Sequence, residues 1–156
     1  MRTTLFISVV FFLLDQVSKS YVLGPLNLDD VGVIEIFDPY LMFKMAWNEG
    51  INFGLFANGA DTMRWVLTAF AVVVSGYLLW WSRQYSGWMA CLCVGMVVGG
   101  ALGNALDRVI YGAVVDFLNM SCCGIYNPYV FNLADVWVFA GIIGIILFSE
   151  RFQKRA

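Results

Sequence analysis

Four stretches of this chain, residues 5–22, 63–81, 88–106 and 130–148, are apolar over nearly their whole length. The hydrocarbon core of a bilayer takes roughly 20 helical residues to cross, and each stretch approaches that length. Lipid offers no partner to a backbone N–H or C=O, so segments of this kind cross as helices. Composition agrees: 61% of the 156 residues are hydrophobic and 13% charged, where a soluble domain carries about a quarter charged. Mean hydropathy is +0.77. The expected fold class is a mainly α membrane protein with four transmembrane helices. Residues 1–156 are expected to form a single integral membrane domain.

Charge sets the expected topology. The first span resembles a signal peptide because Arg2 precedes it, but no small-x-small site follows, and Asp15 and Lys19 lie inside it. It reads as a retained helix. Arg2, Arg83, Arg151, Lys154 and Arg155 fall at the termini and between the second and third spans. Basic residues mark cytoplasmic segments, so both termini are expected inside and the longer loops outside. The loop 25–61 carries Asp29, Asp30, Glu35, Asp38, Glu49 and Asp61 against Lys44. Strand formers at 31–37 and 40–47, with Asp38-Pro39 as a turn signal between them, predict a small sheet on the outer face. The permissive residues Asn48 to Gly54 then return the chain toward the bilayer. Gly95, Gly99 and Gly103 give the third span two overlapping Gly-x-x-x-Gly patterns, which favour close helix packing. Gly141 and Gly144 suggest the same for the fourth.

There is no histidine, which excludes a His-Glu-x-x-His zinc protease and a Ser–His dyad. Cys91 and Cys93 read as small apolar helix residues. Cys122 and Cys123 are adjacent, poor geometry for an ordinary disulfide to each other. No metal site or cofactor is expected. No basic cluster suggests nucleic acid.

Acids in hydrocarbon are expensive and mark functional sites by default. Asp15 and Lys19, four apart, share a helix face and are expected to form a structural ion pair. Asn104, Asp107 and Arg108 share a face near the end of the third span. Arg108 either snorkels to the interface or fixes the following loop, or else joins Asn104 in touching substrate carbonyls. Asp116 and Asp135 are each expected at the end of a transmembrane helix, at the outer boundary. Brought together, two carboxyls cannot both ionise cheaply. The charged member would take a proton from a water attacking a peptide carbonyl, and the protonated member would serve the oxygen and the leaving nitrogen. Alternatively each caps a helix or pairs with an arginine.

The motifs as a set resemble the lipoprotein signal peptidase (signal peptidase II) family. They are Asp15-Gln16-x-x-Lys19, Asn48-x-Gly50, Gly99-Gly100-Ala101-x-Gly103-Asn104-x-x-Asp107-Arg108, Gly112-x-Val114-Val115-Asp116-Phe117 and Phe131-Asn132-x-Ala134-Asp135, in that order. The resemblance implies an aspartyl endopeptidase of the bacterial inner membrane, with a β-cradle and a short interfacial helix beside its four spans. Such an enzyme cuts prolipoproteins just before a diacylglyceryl-modified cysteine. It implies Asp116 and Asp135 as catalytic, with Asn48, Asn104, Arg108 and Asn132 binding substrate or supporting the dyad. Membrane lipids and globomycin-type cyclic-peptide inhibitors are the further partners implied, and nothing demands more than a monomer. The substrate's signal helix is expected in a groove for which the glycine-lined third span gives room. Three positions depart from the family pattern: Ile51 and Asn52 stand where small residues are expected, and Val136 where a small hydroxyl residue is.

A small proton-coupled transporter or membrane binding protein is the alternative, using the same acids and Lys19 as a relay. The acids cluster toward one face, however, and no pair of broken helices stands in matching halves. A presenilin-like protease is set aside because its Gly-x-Gly-Asp motif is absent.

Overall fold

The computed structural model describes residues 1–50, 59–85, 87–124 and 126–152. Four long helices are apolar enough to cross a membrane: α1 (Arg2–Leu23), α3 (Gly59–Ser82), α4 (Trp88–Tyr111) and α5 (Leu133–Phe148). Between α1 and α3 lie a one-turn helix, α2 (Leu28–Val31), and strands β1 (Val33–Phe37) and β2 (Leu41–Asn48). Strand β3 (Val114–Met120) joins α4 to α5, and a 3-10 turn follows α5 at Ser149–Arg151.

Helix α4 is the hub and packs against α1, α3 and α5. Its glycines make this possible. A Cβ on Gly99 would stand 2.6 Å from the carbonyl oxygen of Ser8 on α1. One on Gly103 would stand 2.5 Å from Oδ2 of Asp15. The expected groove for a signal helix on this stripe is therefore corrected: α1 already fills it. Gly141 and Gly144 of α5 close on Val97 and Cys93 of α4 in the same way. The remaining faces are for lipid, with Phe139 and Ile146 of α5 about 70% and 71% exposed.

The N-terminus, the α3–α4 link and the C-terminal turn share one end of the bundle. Arg83 Nε donates to Met1 Sδ at 3.1 Å. Phe152 packs with Ala90 and Cys93 against Trp81 and Tyr85. The other end carries an antiparallel sheet in the order β1-β2-β3. Val22, Leu28, Val115 and Phe117 form the core that seats this sheet on the bundle. The β1–β2 hairpin arises where the strand formers predict it.

Three expectations are corrected. Asp116 lies on β3, not at a helix end; the run Val114-Val115-Asp116-Phe117 is buried throughout, so no alternation marks it as a strand. The third span continues past 106 to Tyr111 because Asp107 and Arg108 find partners within the protein. It stops at Gly112, whose φ of 86° supplies the left-handed cap. The fourth begins at Leu133 because Asn132 is its N-cap. Further on, Cys122 and Cys123 are joined in a disulfide. The backbone is left-handed at Cys123 (φ 60°) and at the following Gly124 (φ 79°). The departure at Ile51-Asn52 lies outside the described residues.

Gly99→Ala should cost about 1–3 kcal/mol, because the new methyl meets main chain that cannot swing aside. Thermal melting in detergent checks this. A wild-type midpoint would show that α1 and α4 separate freely at that level.

Candidate active site

The sheet end of the bundle holds the polar residues singled out from the motifs. Asp116 is carried by β3, paired across the sheet with Ala46. Two residues further along β2, Asn48 reaches back, and its Nδ2 donates to Asp116 Oδ2 at 3.0 Å. Asp135 lies in the first turn of α5. Main-chain bonds between Leu118 and Phe131, 2.8 and 2.9 Å, pin the approach to α5 onto β3. That contact brings the two aspartates into one neighbourhood.

Asn132 joins them directly. Its Oδ1 accepts from Asp135 N at 3.0 Å, and its own N–H donates to Asp135 Oδ2 at 3.2 Å. This reciprocal pair is a capping box. Its Nδ2 donates to Asp116 Oδ1 at 2.6 Å. The cap that Asp135 was alternatively expected to form is thus Asn132, with Asp135 three residues inside. Asn104 of α4 completes the ring. Its Nδ2 donates to Asp135 Oδ1 at 2.9 Å, and its Oδ1 accepts from Asn132 Nδ2 at 3.2 Å.

Behind this ring lies a buried charge cluster. Lys19 Nζ sits 2.8 Å from Asp15 Oδ2 and 2.7 Å from Asp107 Oδ2. All three side chains are nearly inaccessible: Asp15 0%, Lys19 2% and Asp107 0% exposed. The Asp15–Lys19 pair is where helix spacing puts it. Asp107 as a second partner was missed, although its place three residues after Asn104 put it on the right face. Gln16 belongs to the first motif but is given no role by the sequence; here its Nε2 donates to Asp107 Oδ1 at 3.0 Å. Arg108 Nη1 donates to the Asn104 carbonyl at 3.2 Å. Its Nε has no hydrogen-bond partner among the described residues.

Burial pushes the Asp116 carboxyl up to about 6, and the nearby Asp135 carboxylate adds to the rise. Hydrogen bonds from Asn48 and Asn132 and the Lys19 charge oppose it. Asp116 is 2% exposed. Asp135 is half-buried and opens onto an apolar groove of about 500 Å³ lined by Phe131, Val136, Phe139, Ala140 and Ile143. Among the described residues no group of three or more His, Cys, Asp or Glu side chains is placed to hold a metal. The site thus pairs a protonatable buried carboxyl with a more open one, fed by amide donors, at the head of a lipid-facing groove.

Solved structures share this architecture. One, described as a bacterial membrane enzyme, matches with a TM-score of 0.76 and 27% identity, covering 94% of this chain and 92% of its own. A second of the same description is 23% identical with a TM-score of 0.76, covering 97% of this chain and 89% of its own. The bundle with its small sheet is thus the fold of a class of bacterial membrane enzymes. Within that class the sequence profile of signal peptidase (SPase) II matches residues 7–151. The lipoprotein signal peptidase of Rhodopseudomonas palustris is 38% identical over 88% of this chain and 85% of its own length. That of Methylorubrum extorquens is 41% identical over 76% and 68%, respectively. The chain belongs to the signal peptidase II family.

Asn132→Ala should destabilise the protein by about 0.5–2 kcal/mol through loss of the cap. Asn132→Ser, which keeps a capping oxygen, should recover much of that. Melting curves of the two variants check it, and equal midpoints would show that the cap is not what Asn132 contributes.

Proposed function

We propose that this chain is an aspartyl endopeptidase that removes the signal peptide from diacylglyceryl-modified prolipoproteins, with Asp116 and Asp135 as its dyad. The observation that carries this reading is that Asn132 holds both aspartates: its side chain donates to the Asp116 carboxyl and accepts from the Asp135 N–H, and its own N–H donates to the Asp135 carboxyl. Asn48, Asn104 and Asn132 would orient the carboxyls, and Arg108, whose Nε has no partner among the described residues, would meet a substrate carbonyl.

We assign the proton to Asp116, which is enclosed and whose carboxyl is raised, and the role of base to Asp135, which lines the groove. Asp135 takes a proton from a water whose oxygen bonds to the scissile carbonyl carbon. The Asp116 hydroxyl donates to the carbonyl oxygen as it becomes an oxyanion. Collapse of the tetrahedral intermediate breaks the C–N bond while Asp116 gives its proton to the leaving nitrogen. The proton on Asp135 then passes to Asp116, restoring the starting state. No nucleophilic side chain is required.

The groove along α5 fits the apolar part of a lipidated substrate, lying in the bilayer while the scissile bond reaches the dyad. Arg2, Arg83 and Arg151 stand at the opposite end of the bundle, which supports cytoplasmic termini and a site at the outer face of the inner membrane.

The test is cleavage of a prolipoprotein, offered with and without its diacylglyceryl cysteine, by purified protein in detergent. Only the lipidated form should be cut, and Asp116→Asn and Asp135→Asn should each abolish turnover while folding normally. Activity retained in either variant would sink the dyad. Failure of the wild type to cut the lipidated form would leave proton-coupled transport as the reading to pursue.

Dependence on pH has a definite sign. Cleavage needs the proton on Asp116, so kcat/KM, which reports the free enzyme, should fall as pH rises past about 6. Bound substrate excludes water, so the corresponding limb of kcat should lie at higher pH. A kcat/KM that climbs through this range would reverse the acid and base assignments.

A further inference from the structure

We propose that Lys19, beyond its ion pair with Asp15, is the positioning residue of the dyad. The proposal rests on the aspartyl peptidase reading above, since it concerns how that dyad is held.

An ammonium has three protons and no acceptor. Lys19 donates to Asp15 Oδ2 at 2.8 Å and to Asn104 Oδ1 at 3.0 Å, and its Nζ is ion-paired with Asp107 Oδ2 at 2.7 Å. Each of these partners continues toward an active-site carboxyl. Asp15 Oδ1 accepts from the main-chain N–H of Ala134, the residue before Asp135, at 2.9 Å. Asp107 Oδ2 accepts from the N–H of Val115, the residue before Asp116, at 3.2 Å. Asn104 Nδ2 donates to Asp135 itself at 2.9 Å. One buried ammonium therefore organises three arms that end on, or next to, both members of the pair.

The third arm is not needed to compensate charge, because two carboxylates already face one ammonium. Its effect is to fix which way the Asn104 amide points. With Lys19 and Asn132 Nδ2 both donating to Oδ1, the amide nitrogen must face Asp135. A flipped amide would set NH₂ against an ammonium and a second NH₂, and an oxygen against a carboxylate. The structural anchor and the alignment of the dyad thus meet in the same side chain.

The charged groups around the assembly are Asp15 on α1, Asp107 and Arg108 on α4, Asp116 on β3, and Asp135 in the first turn of α5. Among them, Lys19 supplies a positive charge that holds Asp116 down. Loss of Lys19 should therefore move the alkaline limb of kcat/KM to higher pH, which a role confined to packing would not do.

The experiment compares Lys19→Met with the neutral triple variant Lys19→Met/Asp15→Asn/Asp107→Asn. The triple variant keeps the oxygens that accept from Ala134 and Val115, and it avoids leaving buried carboxylates unpaired. Melting, kcat, KM and the pH profile are measured on the lipidated prolipoprotein. Both folded variants should lose about 10- to 100-fold in kcat, the scale of a small misplacement of reacting groups, with KM within about twofold. Lys19→Met should also show the upward limb. If Lys19→Met alone fails to fold, the triple variant decides. A folded triple variant with wild-type kcat overturns the proposal. Asp116→Asn runs beside them: if it is inactive while the triple variant is fast, positioning by Lys19 alone is wrong, and if it is active, the dyad reading itself falls.

Discussion

A lysine ammonium removed from water costs several kcal/mol unless its charge and its protons are all met. Lys19 is 2% exposed, and much of the sheet end of this protein follows from meeting that condition. Asp15 comes from the same helix, one turn away. Asp107 comes from α4, so α1 and α4 must run almost in backbone contact. That contact demands glycine: any Cβ at 103 would occupy the space of the Asp15 carboxylate that Lys19 needs. The Gly-x-x-x-Gly stripe and the buried charge cluster look like separate motifs in the sequence, one for packing and one for chemistry. In the fold they are two halves of one requirement.

The same requirement explains why α4 carries Asp107 and Arg108 without ending. Polar side chains stop a membrane helix only when their partners are outside it. Here Asp107 faces Lys19, Gln16 and the Val115 N–H, all inside the protein. Hydropathy, blind to partners, truncates the span at 106. At the other end of the α4–α5 connection, Asn132 and Asp135 close a capping box, and hydropathy extends the fourth span back through three residues that are not helical.

The four spans, the β1–β2 hairpin and the Asp15–Lys19 pair were legible because each depends on local period or local spacing. Strand β3 was not. Val114, Val115 and Phe117 are 1%, 0% and 3% exposed, so both faces of the strand are covered and its sequence shows no alternation. The Cys122–Cys123 bond was read against because adjacency argues against ordinary disulfide geometry, and left-handed backbone at Cys123 was not foreseeable. Asp107 as a partner of Lys19 joins residues far apart in the chain, and no spacing rule reaches that far. The roles given to Asn48 and Asn132 came with the family motifs, and that of Asn104 also from its place on the face of Arg108. Their meeting in one hydrogen-bond ring is a property of the fold.

That ring has a consequence for where the proton sits. Asp116 accepts from Asn132 and Asn48, and Asp135 accepts from Asn104 and the Asn132 N–H. Each carboxyl is offered two donors by these residues, which fix its orientation. At Asp116, burial and the nearby Asp135 carboxylate outweigh the donors and raise the carboxyl. Hydrogen bonding therefore holds the geometry of the pair, and in the proposed reaction the enclosed Asp116 is the member that keeps the proton. A substrate segment covering the site would lower the dielectric around Asp116, and burial is already what raises its carboxyl. Asp116 would then hold its proton more firmly when loaded than when empty. In the proposed reaction the substrate itself completes the protonation state that its hydrolysis requires.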